Sequence, residues 1–225
     1  MNVTADARWA RWLGAAFVAQ FITSLAAEAL SSPILAGSIS AAMVRINNHA
    51  VQFRAAIVLY LATCVGIMVM TTLLYVLLKG RNRPVALVAL ILWLAEVMVI
   101  AVSVLGMYGL LPLSADFVRA GAPAASYYET LGTFLNGLTG DLSFLFFSLG
   151  AFLWYWLFFT SRLVPRWLSI WALLAMVPVL AGTLPQVWDA GIKVPFVLDL
   201  PYLPFELVVG LWLLIRGATP AFNTP

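Results

Sequence analysis

The chain has 225 residues, of which 64% are hydrophobic and 9% charged, and its formal net charge is +3. A mean hydropathy of +1.01 leaves too little polar surface for a water-soluble domain of this length. The small basic excess comes without a basic helix, a stacked aromatic motif or a metal-binding finger, which excludes a nucleic-acid-binding module.

A surface that faces lipid needs every backbone amide and carbonyl satisfied within a helix or a closed barrel. The apolar residues form long runs without the alternation of a barrel strand, so the chain is predicted to be all-α, an integral membrane bundle. In chain order six spans are expected: Trp12 to Leu30, Ala55 to Leu78, Val85 to Leu110, Leu131 to Phe159, Trp167 to Leu184, and Leu200 to Ile215. Between the first two, Ser38 to Arg54 reads as a short amphipathic helix with Ile39, Met43, Ile46, Ala50 and Phe53 on one side. It would either lie on the membrane surface or act as a lid over the bundle. The fourth span is the longest, and tilt or extension beyond the lipid would accommodate it. Before the sixth, Asp199 is placed to cap the helix and Pro201 stands where a missing amide hydrogen costs little, with Pro204 bending the first turn. No soluble segment separates these spans, so residues 1–225 are expected to form one transmembrane domain.

Charge sets the orientation. With six spans, both termini, the turn at Lys79 to Pro84 and the turn at Ser161 to Arg166 share one side. That side carries Arg8, Arg11, Lys79, Arg81, Arg83, Arg162, Arg166 and Arg216, eight of the 12 basic residues. The opposite side has Arg45, Arg54, Arg119 and Lys193. The basic side should be cytoplasmic, with both termini inside. Membrane lipids are the expected partners, the basic turns being attracted to anionic headgroups. Cys64 is the only cysteine, which excludes an intramolecular disulfide. With one histidine, no cysteine pairs and no glycine-rich phosphate loop, neither a metal nor a cofactor is expected.

The stretch Leu73 to Lys79, followed by Asn82-Arg83 and a third span carrying Glu96, resembles the uncharacterised bacterial family designated domain of unknown function four-three-eight-six. Arg54 at the start of the second span, the turn Leu163 to Arg166 and the segment Glu206 to Gly217 agree with it, so the resemblance covers nearly the whole chain. It implies the architecture, and with it a bacterial inner membrane, but no activity. The chain departs from that pattern at Trp93, where members often place an Arg, and at Gly150, where they often place a His.

Carboxylates inside spans carry the chemical interest, because a charge near the bilayer centre costs about 2.5–3.5 kcal/mol and so faces the bundle interior or a wet cavity. Glu96 lies 11 residues after Val85, about 16 Å along the helix and close to the midplane. Asp141 falls near the middle of the fourth span; Glu28 and Glu206 lie toward the outer ends of the first and sixth. Small and polar residues align on the fourth span (Thr133, Gly137, Gly140, Asp141, Phe144, Ser148) and on the first (Phe17, Gln20, Ser24, Ala27, Glu28). The expected site is an outward-opening polar cavity with Glu96 and Asp141 at its floor and Arg54 as their cationic partner. Glu28, Trp93, Phe144 and Glu206 would complete its lining. Most tryptophans, Trp154 among them, read as a cytoplasmic interface belt, for which Trp93 lies too deep.

Three functions fit this pattern. One is binding of a small or lipid-like molecule without turnover. Another is an intramembrane enzyme acting on a lipid or isoprenoid, for example in terpene cyclisation, with Glu96 or Asp141 as the proton donor and aromatic faces stabilising a cation. A third is proton-coupled transport, for which a homodimer would be needed because six short helices enclose little.

Overall fold

The computed structural model describes residues 3–123, 126–138, 142–189, 192, 196–198, 200–219 and 222. Their regular structure is helical: α1 (Val3–Leu35), α2 (Ile39–Asn48), α3 (Ala50–Leu78), α4 (Arg83–Arg119), α5 (Ser126–Gly137), α6 (Leu142–Ser161), α7 (Arg166–Trp188), a 3-10 turn (Phe196–Leu198) and α8 (Leu203–Arg216). Five stretches are long and apolar enough to cross a membrane: Arg8–Leu35, Ala50–Leu78, Arg83–Arg119, Tyr127–Ser161 and Arg166–Trp188. Between 22% and 44% of their most apolar windows is buried in the protein, so most of that apolar surface needs lipid rather than water. Met98, Leu105, Leu174 and Ile215 are among the side chains left outside.

Two expectations about the elements are revised, those for the sixth helix and the amphipathic segment. The fourth span agrees with the candidate crossing Tyr127–Ser161, whose described residues form α5 and α6, and the predicted stripe from Thr133 to Ser148 runs across residues 139–141, which lie outside the described residues. Asp141 and Gly140 lie outside the described residues. The sixth helix starts at Leu203 and has 14 residues, about 21 Å by the helical rise and less than the roughly 30 Å of a bilayer core. Its start is set by Pro204 in the first turn, while the Pro201 carbonyl lies outside the helix and accepts a hydrogen bond from Trp171 Nε1 at 3.0 Å. Tyr202 rather than Asp199 occupies the cap, without a side-chain capping bond, and Asp199, like Lys193, is outside the described residues. Finally, the amphipathic segment breaks at His49, so Arg54 belongs to α3.

The chain forms two compact units, with α1, α3 and α4 contributing a stretch to each. Unit 1 contains Met1–Phe21, Val65–Val97 and Asp141–Pro225. There α1 and α8 approach so closely at Gly14 that a Cβ would strike the α8 backbone at Gly210 and Leu214. The segment after α8 is bonded to both basic turns: Thr219 N donates to Leu163 O at 3.0 Å, and Arg81 Nη2 donates to Phe222 O at 2.9 Å. α8 therefore returns the chain to the end of unit 1 where α4 and α7 begin.

Unit 2 contains Ile22–Cys64 and Met98–Gly140. Ser38 Oγ caps α2 by accepting from Ala41 N, and the apolar face of α2 is spent on the protein: Met43 and Ile46 are fully buried with Ile34, Phe53, Met107 and Phe117. That packing leaves α2 no apolar stripe to lay on a membrane. Arg45 clasps the preceding link by donating to the carbonyls of Ile34 and Ala36, and Ser40 donates to Glu129 of α5 at 2.9 Å.

Candidate functional site

Unit 1 brings two carboxyl groups and a set of rings into its interior. On α4, Trp93 and Glu96 are three residues apart and so share a face; both are buried, Glu96 with 7% of its surface exposed. On α8, Phe205 and Glu206 follow Tyr202 within a turn or so, and Glu206 is 6% exposed. α6 completes the cluster with Phe147, Trp154 and Tyr155, spaced seven and eight residues apart on its buried face.

Ring contacts hold these elements together. The Trp93 and Phe147 rings stack with centroids 6.2 Å apart, and Trp93 Nε1 donates to the Phe147 carbonyl at 3.1 Å. Trp154 meets Trp93 edge-on at 6.2 Å, Tyr202 meets Phe147 at 5.0 Å, and Tyr155 meets Phe205 at 4.9 Å. The two positions that depart from the expected family pattern touch each other: a Cβ at Gly150 would land on the Trp93 indole. Glycine at 150 is what admits so large a ring at 93.

Within this frame the carboxyls of Glu96 and Glu206 are near enough to interact through their charges, and Tyr155 is near both. Tyr202 lies close enough to Glu206 and Tyr155 for its phenol to interact with both, although the two phenol oxygens complete no well-aligned hydrogen bond among the described residues. Glu96 Oε2 and Trp154 Nε1 are also buried without a hydrogen-bond partner among the described residues. Neither carboxyl forms an ion pair among the described residues. Buried polar atoms are nearly always paired, and in native proteins exceptions mark catalytic, ligand or water sites.

The expected site residues separate as follows. Trp93, Glu96 and Glu206 converge, and Phe144 stands at the margin, half exposed, with its ring edge-on to Phe147 at 6.2 Å. Glu28 belongs to unit 2, where it is exposed and accepts a hydrogen bond from Tyr60 at 2.8 Å. Arg54 also belongs to unit 2 and lines a surface groove there. Asp141 lies outside the described residues. Trp154, expected at the interface, is instead fully buried against Trp93. Tyr155 and Tyr202 were not anticipated. The signal for Tyr202 was its place four residues before Glu206, and for Tyr155 its place on the aromatic face of α6.

These features define a polytopic helical membrane protein with ionisable groups inside its helical core. The chain belongs to the family described as Domain of unknown function (DUF4386), whose model matches residues 12–217. No curated protein and no solved structure matches the chain.

Proposed function

We propose that this protein spans the membrane six times with both termini in the cytoplasm, and that its carboxyl–phenol cluster receives the polar end of a small or lipid-like ligand from the outer side. The topology is supported by the bonds from the post-α8 segment to both basic turns, which suit a cytoplasmic face carrying most of the basic residues. On that topology Glu96 lies about 20 Å from the cytoplasmic start of α4, and Glu206 lies in the first turn of α8. The cluster then falls in the outer half of the bilayer, that of a bacterial inner membrane.

The observation that carries the reading is Glu96 Oε2, buried without a hydrogen-bond partner beside Glu206 and the Tyr155 and Tyr202 phenols, with no cation paired to either carboxyl among the described residues. An intramembrane ionisable group is costly to keep, and replacing it with leucine would relieve that cost. Native mass spectrometry of detergent-purified wild type, Glu96→Gln and Glu206→Gln, compared at matched folding, tests it. A specific small molecule that co-purifies with wild type and is lost from either variant is the expected result. Absence of any such molecule from wild type, or its retention by both variants, would overturn the reading.

An enzymatic reading has one observation in its favour, the stacked Trp93 and Phe147 rings one helical turn from the Glu96 acid, an arrangement suited to a developing carbocation. Incubating the identified compound, or a linear isoprenoid, with wild type and Glu96→Gln separates it from binding alone. Product formed by wild type only would support turnover.

A further inference from the structure

Unit 2 holds a surface groove of about 690 Å³ between the start of α3 and the far part of α4. From its lining we infer that it seats an anionic phospholipid, with the lipid phosphate on Arg54 and one acyl chain descending along Val58, one turn deeper on α3. The inference is independent of the carboxyl cluster and stands on unit 2 alone.

Four observations lead to it. The Arg54 side chain is exposed, and its guanidinium has no hydrogen bond or ion pair among the described residues. The nearby acid of α4, Asp116, is already paired with Arg119 at 3.0 Å, so the groove keeps an uncompensated positive charge. Arg54 also lies in the second turn of α3, close to the positive end of that helix's dipole. The groove's remaining wall is divided by polarity: Asn47 and the largely exposed Tyr108 offer hydrogen-bonding groups, whereas Ile57, Val58 and Leu111 offer apolar surface.

Depth agrees with charge. Leu111 stands 28 residues after Arg83, about 42 Å along α4, beyond the roughly 30 Å hydrocarbon layer and at the level of headgroups. An exposed tyrosine and an arginine are the side chains suited to that level. Pro112, which also lines the groove, has no N–H to give the Tyr108 carbonyl, so that carbonyl is free of its helical bond and adds an acceptor for a headgroup hydroxyl. A guanidinium binding phosphate through paired N–H groups, with hydroxyl acceptors beside it and an apolar trough below, matches a phosphatidylglycerol-type lipid.

Titration of detergent-solubilised protein with phosphatidylglycerol or phosphatidylcholine of the same chain length, followed by native mass spectrometry, tests the assignment. One phosphatidylglycerol should bind more tightly than phosphatidylcholine, and Arg54→Gln should weaken that event about tenfold. Arg83→Gln, which removes an exposed arginine at the opposite end of α4, should leave the tight event in place. Ala115→Trp should fill the outer part of the groove, where the headgroup sits, and displace the lipid while Arg54 is intact, which separates groove occupancy from a general charge effect. Equal retention of the two lipids by wild type, or unchanged phosphatidylglycerol binding in Arg54→Gln, would overturn the inference.

Discussion

Trp93 packs so closely on Gly150 that a Cβ there would strike its indole, and the energetics of the two can be separated by mutation. Gly150→Val pushes two methyl groups into the indole and should cost about 1–3 kcal/mol by overpacking. Trp93→Leu opens space at the same place, so the double variant should be more stable than the sum of the single changes implies, as expected for residues in contact. Denaturant titration in detergent measures this, and strict additivity would show that the two do not share one packing volume. Glu96 makes the opposite case. Its Oε2 has no partner to lose, so Glu96→Leu should leave stability unchanged or raise it by about 1 kcal/mol, while abolishing ligand retention. A loss of more than about 2 kcal/mol would assign the carboxyl a structural role.

At the scale of elements, α2 is held by one side chain more than by its own helical propensity. With 10 residues it is too short to be stable alone, and Arg45 ties it to the end of α1 through two backbone carbonyls. Arg45→Ala should cost about 1–2 kcal/mol. Amide hydrogen exchange should accelerate across Ile39–Asn48 while α6 stays protected. Unchanged exchange in α2 would show that burial of Met43 and Ile46 suffices. The same reasoning explains why α2 was ambiguous from its residues: periodicity reveals an apolar face but not whether lipid or protein covers it.

For the whole molecule, the decisive question is where α8 leaves the carboxyl terminus. If only the five long helices crossed, the two termini would lie on opposite sides; a sixth crossing through α8 puts them together. Single cysteines introduced at Gly80 and Ala218 in a Cys64→Ser background should both be shielded from a membrane-impermeant thiol reagent in intact cells, and one at Gly121 should react. Labelling of Ala218→Cys from outside would make α8 a re-entrant element and remove the cytoplasmic carboxyl terminus. The placement of α8 also bears on the site, because Glu206 reaches Glu96 only if α8 packs within unit 1.

Composition and run length alone determined that this is a helical membrane protein, because lipid imposes one requirement, internal satisfaction of the backbone, on every segment that crosses it. They also singled out Glu96, Glu206 and Trp93, since an ionisable or bulky group deep in an apolar run is legible one residue at a time. Only the tertiary structure decided which of the candidates meet. It joined Glu96 to Glu206 across 110 positions, added Tyr155 and Tyr202, buried Trp154, and put Glu28 and Arg54 in a different unit. Nearly every face of these helices is apolar, so hydrophobic periodicity does not distinguish the side turned to lipid from the side turned to a neighbouring helix. That choice is made by shape, in contacts such as Trp93 on Gly150, which no single stretch of the chain contains.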